Sequence, residues 1–275
     1  MSSAVNTYGK INIDGNIETS RLTTNGLILN LDAGNPKSYP GPISGGVNKT
    51  NSSVWYDLSS RGNHFYLYNT PTFDASTKSF NFNGIDEYGL DSTAFGYNVN
   101  KDYIFDAYLN PSQYGLFTSP ATDRTIEIWF RLNDTLLQYA GLFALQINQA
   151  GCVFYPGTLG GNQGKFCWTW DDSLQDGAAM TNKSVQVGEW IQLVVILRNA
   201  YYYTYYVNGE LDKAEQQTTD LATPVNNIYW YIGKEQRFGY SLKCNVSIIR
   251  MYDRILTAQE IKDNYNVNKG RFGLK

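Results

Sequence analysis

The sequence predicts an all-β protein, a two-sheet antiparallel jelly-roll sandwich with one short C-terminal helix. Three observations carry that expectation. Aromatic residues make up 15% of the chain, with 22 tyrosines, a composition suited to half-buried pleated surfaces. Apolar residues recur with a period of two in short runs separated by Gly, Asn and Pro. A strong helix-start signal comes only after the last of those runs.

Residues 1–25 read as an extended arm, with short alternating runs at 11–13 and 16–18 around the turn dipeptide Asp14-Gly15. The arm holds too little apolar material to fold alone, so it is expected to pair with the main sheet or dock on a partner. The sandwich spans 26–268. It opens with a buried strand carrying Leu27, Leu29 and Leu31, followed by a Gly-, Pro- and Asn-rich loop at 39–53. Strands at 80–82 and 88–90 flank the turn Asn83-Gly84. Residues 91–123, rich in Tyr, Asn, Asp and Pro without sustained period, read as a long ordered insertion.

The cleanest strand is 125–132, where Ile126, Ile128, Phe130 and Leu132 share one face and Glu127, Trp129 and Arg131 the other. Further strands are expected at 141–147, 152–155, 165–170, 190–198, 201–207, 227–233 and 245–252. Trp190 is expected to fill the gap between the sheets, and Asn208-Gly209 to form a turn that needs positive φ. Thr257-Ala-Gln-Glu260 is a capping box, with Leu256 and Ile261 placed for a hydrophobic staple and Ile261 and Tyr265 on one helix face. Residues 269–275 read as a C-terminal tail.

Composition narrows function. Hydrophobic residues at 42% can fill a large core, while charged residues at only 17% leave solubility to Asn, Ser, Thr, Gly and Tyr. Lys and Arg number 22 against 25 Asp and Glu, a net charge of −3 without a basic stripe, which excludes ordinary nucleic-acid binding. No apolar run approaches the roughly 18–20 residues of a membrane span. The first ten residues lack a charged n-region and an apolar h-region, so no secretory signal is expected there. Cys152, Cys167 and Cys244 lack metal-type spacing and read as buried free thiols. His64 is the only histidine, which excludes a His-based metal site.

Four blocks, in order and at consistent spacing across 26–268, resemble a LamG-type concanavalin A-like lectin/glucanase domain of the kind found in tailed-bacteriophage virion proteins. They are Asn25-Gly-Leu-Ile-Leu-Asn-Leu-Asp-Ala-Gly-Asn-Pro-Lys-Ser-Tyr39 with Trp55-Tyr-Asp-Leu-Ser-Ser-Arg-Gly-Asn-His64, then Phe80-Asn-Phe-Asn-Gly-Ile-Asp-Glu-Tyr88, and a final group from Trp190 through Tyr205-Tyr-Val-Asn-Gly-Glu210 to Val246 and Ile261. The resemblance implies a virion structural or decoration protein with a lectin-like domain, placed on the particle surface after assembly in the host cytoplasm. The competing readings are a dedicated receptor-binding fibre or baseplate adhesin, and a glycoside hydrolase of the same fold.

The hydrolase reading fails on residue grounds. Glucanases of this fold set two acids on one strand, and a retaining mechanism needs its carboxylates about 5 Å apart. Here, in Glu127-Ile-Trp-Phe-Arg131, Trp129 stands where the pattern has aspartate, and Phe130, Arg131 and Leu132 leave no second glutamate. The expectation is therefore a protein without catalytic residues. Its candidate glycan-contacting residues are Trp168, Trp170, Tyr202 and Tyr206, with Trp170, Tyr202 and Tyr206 facing outward. Calcium is the one cofactor the chain suggests, through the hard oxygens of Asp171, Asp172 and Asp176. Expected partners are other virion proteins, met through the arm and the 91–123 insertion, host polysaccharide, and further copies of the chain.

Overall fold

A computed structural model of the chain describes residues 8–11, 17–41, 54–69, 71–85, 88–91, 123–134, 141–147, 150–153, 155–156, 164–168, 180–199, 202–217, 229–234 and 241–275. Strands β1 (Tyr8–Ile11) and β2 (Ile17–Ser20) form a small sheet of their own. The sandwich continues with β3 (Leu27–Asp32), β4 (Val54–Trp55), β5 (Phe65–Tyr68), β6 (Thr72–Asp74), β7 (Ser79–Asn83), β8 (Tyr88–Asp91) and β9 (Arg124–Leu132). Next come β10 (Phe143–Ile147), β11 (Ala150–Val153), β12 (Tyr155–Pro156), β13 (Phe166–Cys167), β14 (Trp190–Arg198) and β15 (Tyr202–Val207). The chain closes with β16 (Glu210–Gln217), β17 (Tyr229–Ile232), β18 (Lys243–Tyr252), helix α1 (Ala258–Asn268) and a 3₁₀ turn, Lys269–Phe272.

Two antiparallel sheets face each other, as expected. The smaller runs β11-β10-β17-β8-β5-β4. The larger runs β16-β15-β14-β9-β18-β7-β6, with β3 also paired to β18. Period two in β9 sends Ile126, Ile128, Phe130 and Leu132 into the space between them, where they meet Trp55, Phe65, Phe143 and Ile232 of the smaller sheet and Leu193, Val195 and Leu197 of β14. Each such side chain stabilises the fold by roughly 1.5–3 kcal/mol through burial. Cys167 and Cys244 are both buried, and burial pushes the Cys244 pKa up.

The other face of β9 is buried too. Glu127 and Trp129 are closed off from water because α1 and the 3₁₀ turn lie across this side of the larger sheet. Val194, Ile196, Tyr252, Leu256 and Ile261 form a second apolar layer there. The helix begins as its sequence dictates: the Thr257 side chain accepts from the Glu260 backbone N–H, and the Glu260 side chain accepts from the Thr257 N–H. Leu256 and Ile261 meet in one cluster, completing the staple.

Two expectations are corrected, and one strand is added. Trp190 does not fill the gap between the sheets. Its neighbour Ile191 does, so alternation puts Trp190 on the outer face, where it packs on Phe272 at 4.6 Å between ring centroids. Residues 269–275 do not trail away, since Phe272 stacks on Trp129 at 4.7 Å and Arg271 pairs with Asp32 at 2.7 Å. The strand β16 was not anticipated, because its sequence Glu-Leu-Asp-Lys-Ala-Glu-Gln-Gln has little apolar content; it lies at the sheet edge, where charges discourage pairing with other chains.

Among the described residues, the two strands of the arm pair with each other and with neither sheet of the sandwich. They pair as Ile11↔Ile17 and Tyr8↔Ser20, and the residues after them are held by the helix layer: the Thr23 N–H donates to Asn264 Oδ1 at 2.9 Å, and Tyr252 Oη donates to Thr23 O at 3.2 Å. Of the expected insertion, 92–122 lies outside the described residues. Among the described residues, no helix is long and apolar enough to cross a membrane.

Candidate functional site

The block 55–64 builds a turn. Asp57 is buried, and its Oδ1 accepts from the N–H groups of Asn30 and Ser59, both at 2.8 Å. Its Oδ2 accepts from the Asn63 N–H at 2.8 Å and the Ser59 hydroxyl at 2.6 Å. Asn63 Nδ2 donates to Ile28 O at 2.9 Å, and His64 Nδ1 accepts from the Asp57 N–H at 3.0 Å. Asp57 is saturated by local donors that tie the 55–64 loop to β3, so the block serves the fold.

Glu127 is likewise spent on structure. It is 0% exposed, and its Oε1 accepts from Trp129 Nε1 at 2.8 Å, Gln192 Nε2 at 2.9 Å and Arg250 Nη1 at 3.2 Å. Oε2 accepts from Asn264 Nδ2 at 2.9 Å. Arg250 is fully enclosed; burial alone lowers its pKa, but the adjacent Glu127 carboxylate raises it above its ordinary value. The carboxylate faces the helix layer, with no second acid among its partners.

The aromatic candidates separate. Trp168 is 0% exposed, which corrects its place in a glycan-contacting set. Phe166 and Trp168 share a strand face, and that face points into the core, where the Trp168 backbone N–H donates to Tyr205 Oη at 2.8 Å. Burial pushes the Tyr205 pKa up. Trp170, Asp171, Asp172 and Asp176 lie outside the described residues. Among the described residues, no group of three or more His, Cys, Asp or Glu could hold a metal ion.

Tyr202 and Tyr206 take the outer face of β15, since Tyr203, Tyr205 and Val207 fill the core. Both are half-buried, and at strand rise they stand about 13 Å apart. The Arg198 guanidinium lies over the Tyr202 ring at 5.1 Å. Tyr206 edges a shallow groove of about 330 Å³ between the β15–β16 hairpin and α1, lined also by Glu210, Leu211, Ala258, Gln259 and Lys262. Leu211 is 56% exposed, and Lys262 pairs with Glu210 across the groove. The hairpin turn makes this meeting possible: Asn208 and Gly209 both have positive φ, at 54° and 74°, which matches the twist of the flanking strands. A Cβ on Gly209 would lie 2.9 Å from Tyr265 Cβ, so only glycine lets the turn seat against the helix.

The groove offers an aromatic face, an exposed aliphatic side chain, an amide and a pair of charges, the mixture that a saccharide's C–H faces and hydroxyls require. The periodicity of β15 pointed to Tyr206. Leu211, Gln259 and Lys262 escaped sequence reasoning because nothing local connects the hairpin to a helix some fifty positions later, although Gly209 marked a close approach.

No significant match occurs among curated proteins. Among solved structures, a Trypanosoma rangeli sialidase in complex with 2,3-difluoro-KDN superposes with a TM-score of 0.60 at 14% identity, over 94% of this chain and 35% of the sialidase. The same sialidase in complex with sialic acid gives 0.58 at 14% identity, over 91% and 34%. The binding domain of botulinum neurotoxin serotype G gives 0.55 at 13% identity, over 88% and 51%. The chain thus spans about a third of the sialidase and half of the toxin domain, and these likenesses concern the fold. Residues 100–262 match the laminin-G-type family model of the concanavalin A-like lectin/glucanases superfamily, and the chain belongs to that superfamily.

Proposed function

We propose that this chain is a non-enzymatic structural or decoration protein of a bacteriophage virion, whose lectin-like sandwich holds host-surface glycans at the groove beside Tyr206. The observation that carries the glycan reading is the placement of Tyr206 on the outer face of the alternating strand β15, with amide and charged groups of α1 beside it. Stacking of a sugar ring on Tyr206 leaves its hydroxyls within reach of Gln259, Lys262 and Glu210. The virion reading is supported by the opening blocks, 25–39 and 55–64, which resemble those of tailed-phage domains. The non-enzymatic reading is supported by Glu127, whose oxygens are occupied by four donors beneath the helix.

Retention of the protein on immobilised host polysaccharide tests the groove. The double variant Tyr202→Ala, Tyr206→Ala is expected to lose about tenfold or more in retention while still unfolding cooperatively. Retention equal to that of the parent protein rules the groove out.

A further inference from the structure

At one end of the larger sheet's outer face, a row of residues from four adjacent strands includes two that are half-buried, Asn81 and Arg131, and two that are buried, Asn245 and Trp190. Register places Asn81 of β7 opposite Asn245 of β18, Asn245 opposite Arg131 of β9, and Arg131 opposite Trp190 of β14. Cross-strand partners share a face. Their chain neighbours Phe80, Phe82, Phe130, Leu132, Ile191 and Val246 fill the core, so all four side chains of the row point away from it. At ordinary strand spacing the row is about 14 Å across, the length of a short oligosaccharide.

Asn133 completes the patch. Its Nδ2 donates to Asn81 Oδ1 at 2.9 Å and to Asn245 Oδ1 at 2.6 Å, while Asn245 Nδ2 donates to Ser79 Oγ at 2.9 Å. Arg131 Nη2 donates to Asn245 Oδ1 at 3.1 Å, and the guanidinium lies 5.5 Å from the Trp190 ring centroid. Trp190 is itself pinned by Phe272. The guanidinium is therefore held in one orientation from two sides.

Its charge is unanswered. Arg131 is half-buried, yet no carboxylate among the described residues forms an ion pair with it. Asp134, three positions on, pairs with Lys243 at 3.4 Å. Among the described residues, one Nη2–H is the only guanidinium donor with a hydrogen-bond partner, and Nε is enclosed without one. Elsewhere on this face the arginines are matched: Arg250 has Glu127 and Arg271 has Asp32. A partly desolvated cation without a counter-ion is costly, and a guanidinium fork suits a carboxylate through two parallel bonds.

We infer that Arg131 binds the carboxylate of an acidic sugar, with the half-buried amides of Asn81 and Asn133 meeting its hydroxyls. The amides favour a hydroxyl-rich ligand over an acidic peptide. The site is distinct from the Tyr206 groove and shares with the proposed function only the class of ligand, so the two fail separately.

The test is calorimetric titration of the full chain with two matched pairs of saccharides: tri-galacturonic acid against its carboxyl-reduced galactose counterpart, and sialyllactose against lactose. At least one acid is expected to bind about tenfold or more tighter than its neutral partner, the effect of a charge-assisted hydrogen bond. Arg131→Gln is expected to erase that preference and Arg131→Lys to keep part of it. Thermal unfolding establishes that each variant is folded, and the matched sugars test the parent protein without any substitution. Equal affinity for acid and neutral partner, absence of binding by both acids, a preference that survives Arg131→Gln, or a glutamate-rich peptide binding as tightly as the sugar overturns the inference.

Discussion

The space between the two sheets and the space beneath α1 are both closed to water, but they are filled by different chemistry. Between the sheets lie Ile126, Ile128, Phe130, Leu193 and their neighbours, which contribute area and shape. Beneath the helix, apolar clusters flank a charged centre in which Glu127 accepts from Trp129, Gln192, Arg250 and Asn264. Asn264 also donates to Tyr252 Oη at 3.0 Å and accepts from Thr23, so one helix residue reads three other segments. An apolar core tolerates sideways shifts at modest cost, whereas a buried polar network is satisfied in one arrangement only. The inner layer makes the sandwich cohere; the outer layer sets where the helix and the end of the arm must sit.

The largest expected effect comes from breaking the outer layer at its centre. Glu127→Ala leaves Arg250 charged, enclosed and unpaired, and urea denaturation should show a loss of about 3–5 kcal/mol. The matched change in the inner layer, Ile128→Val on the next residue, should cost only about 0.5–1.5 kcal/mol. Equal losses would erase the distinction between the layers. Replacing both Glu127 and Arg250 by Met sharpens it, since removing the pair together should cost far less than removing the acid alone.

A smaller effect is expected at the start of α1. Thr257→Ala removes the cap on the Glu260 N–H and should lower stability by about 1 kcal/mol in the same assay. Hydrogen exchange should show faster opening of α1, with β9 and β14 little changed.

The smallest effect is electrostatic. Hydrogen bonds from Arg254, then from Thr257, hold the Glu260 carboxyl at about 2 against an ordinary value of 4.5. A carboxyl whose folded pKa is depressed stabilises fully above its unfolded pKa, and the contribution fades as pH falls through the folded value. Thermal midpoints should therefore fall between pH 4.5 and about 2, and part of that fall should vanish in Arg254→Gln. The pair is close to solvent, so the difference between the two proteins should be small. Asp74, held at about 2 chiefly by the Ser76 hydroxyl, titrates in the same window in both and cancels from the comparison.

Features encoded within a few neighbouring residues were legible beforehand. The alternation of β9, the capping box and staple of α1 and the Asn208-Gly209 turn all appear where the residues called for them. Alternation also separated Tyr202 and Tyr206 from Tyr203 and Tyr205. It could not say which face is covered. Trp168 shares a face with Phe166 whether that face is core or surface, and Trp190 alternates with Ile191 whether the outer side meets water or Phe272.

What the sequence alone determined is thus the set of local commitments: strands by period, turns by residues that tolerate positive φ, one helix by its cap, and the absence of a second acid on β9. Only the tertiary structure decided what those commitments surround. Glu127 and Arg250 lie 123 positions apart, and Glu127 and Asn264 lie 137 apart. Whether a carboxylate becomes a buried anchor, or a guanidinium such as that of Arg131 meets no counter-ion among the described residues, depends on which distant strands and helix arrive beside it. Charge and burial are properties of the assembled neighbourhood, while periodicity belongs to the chain.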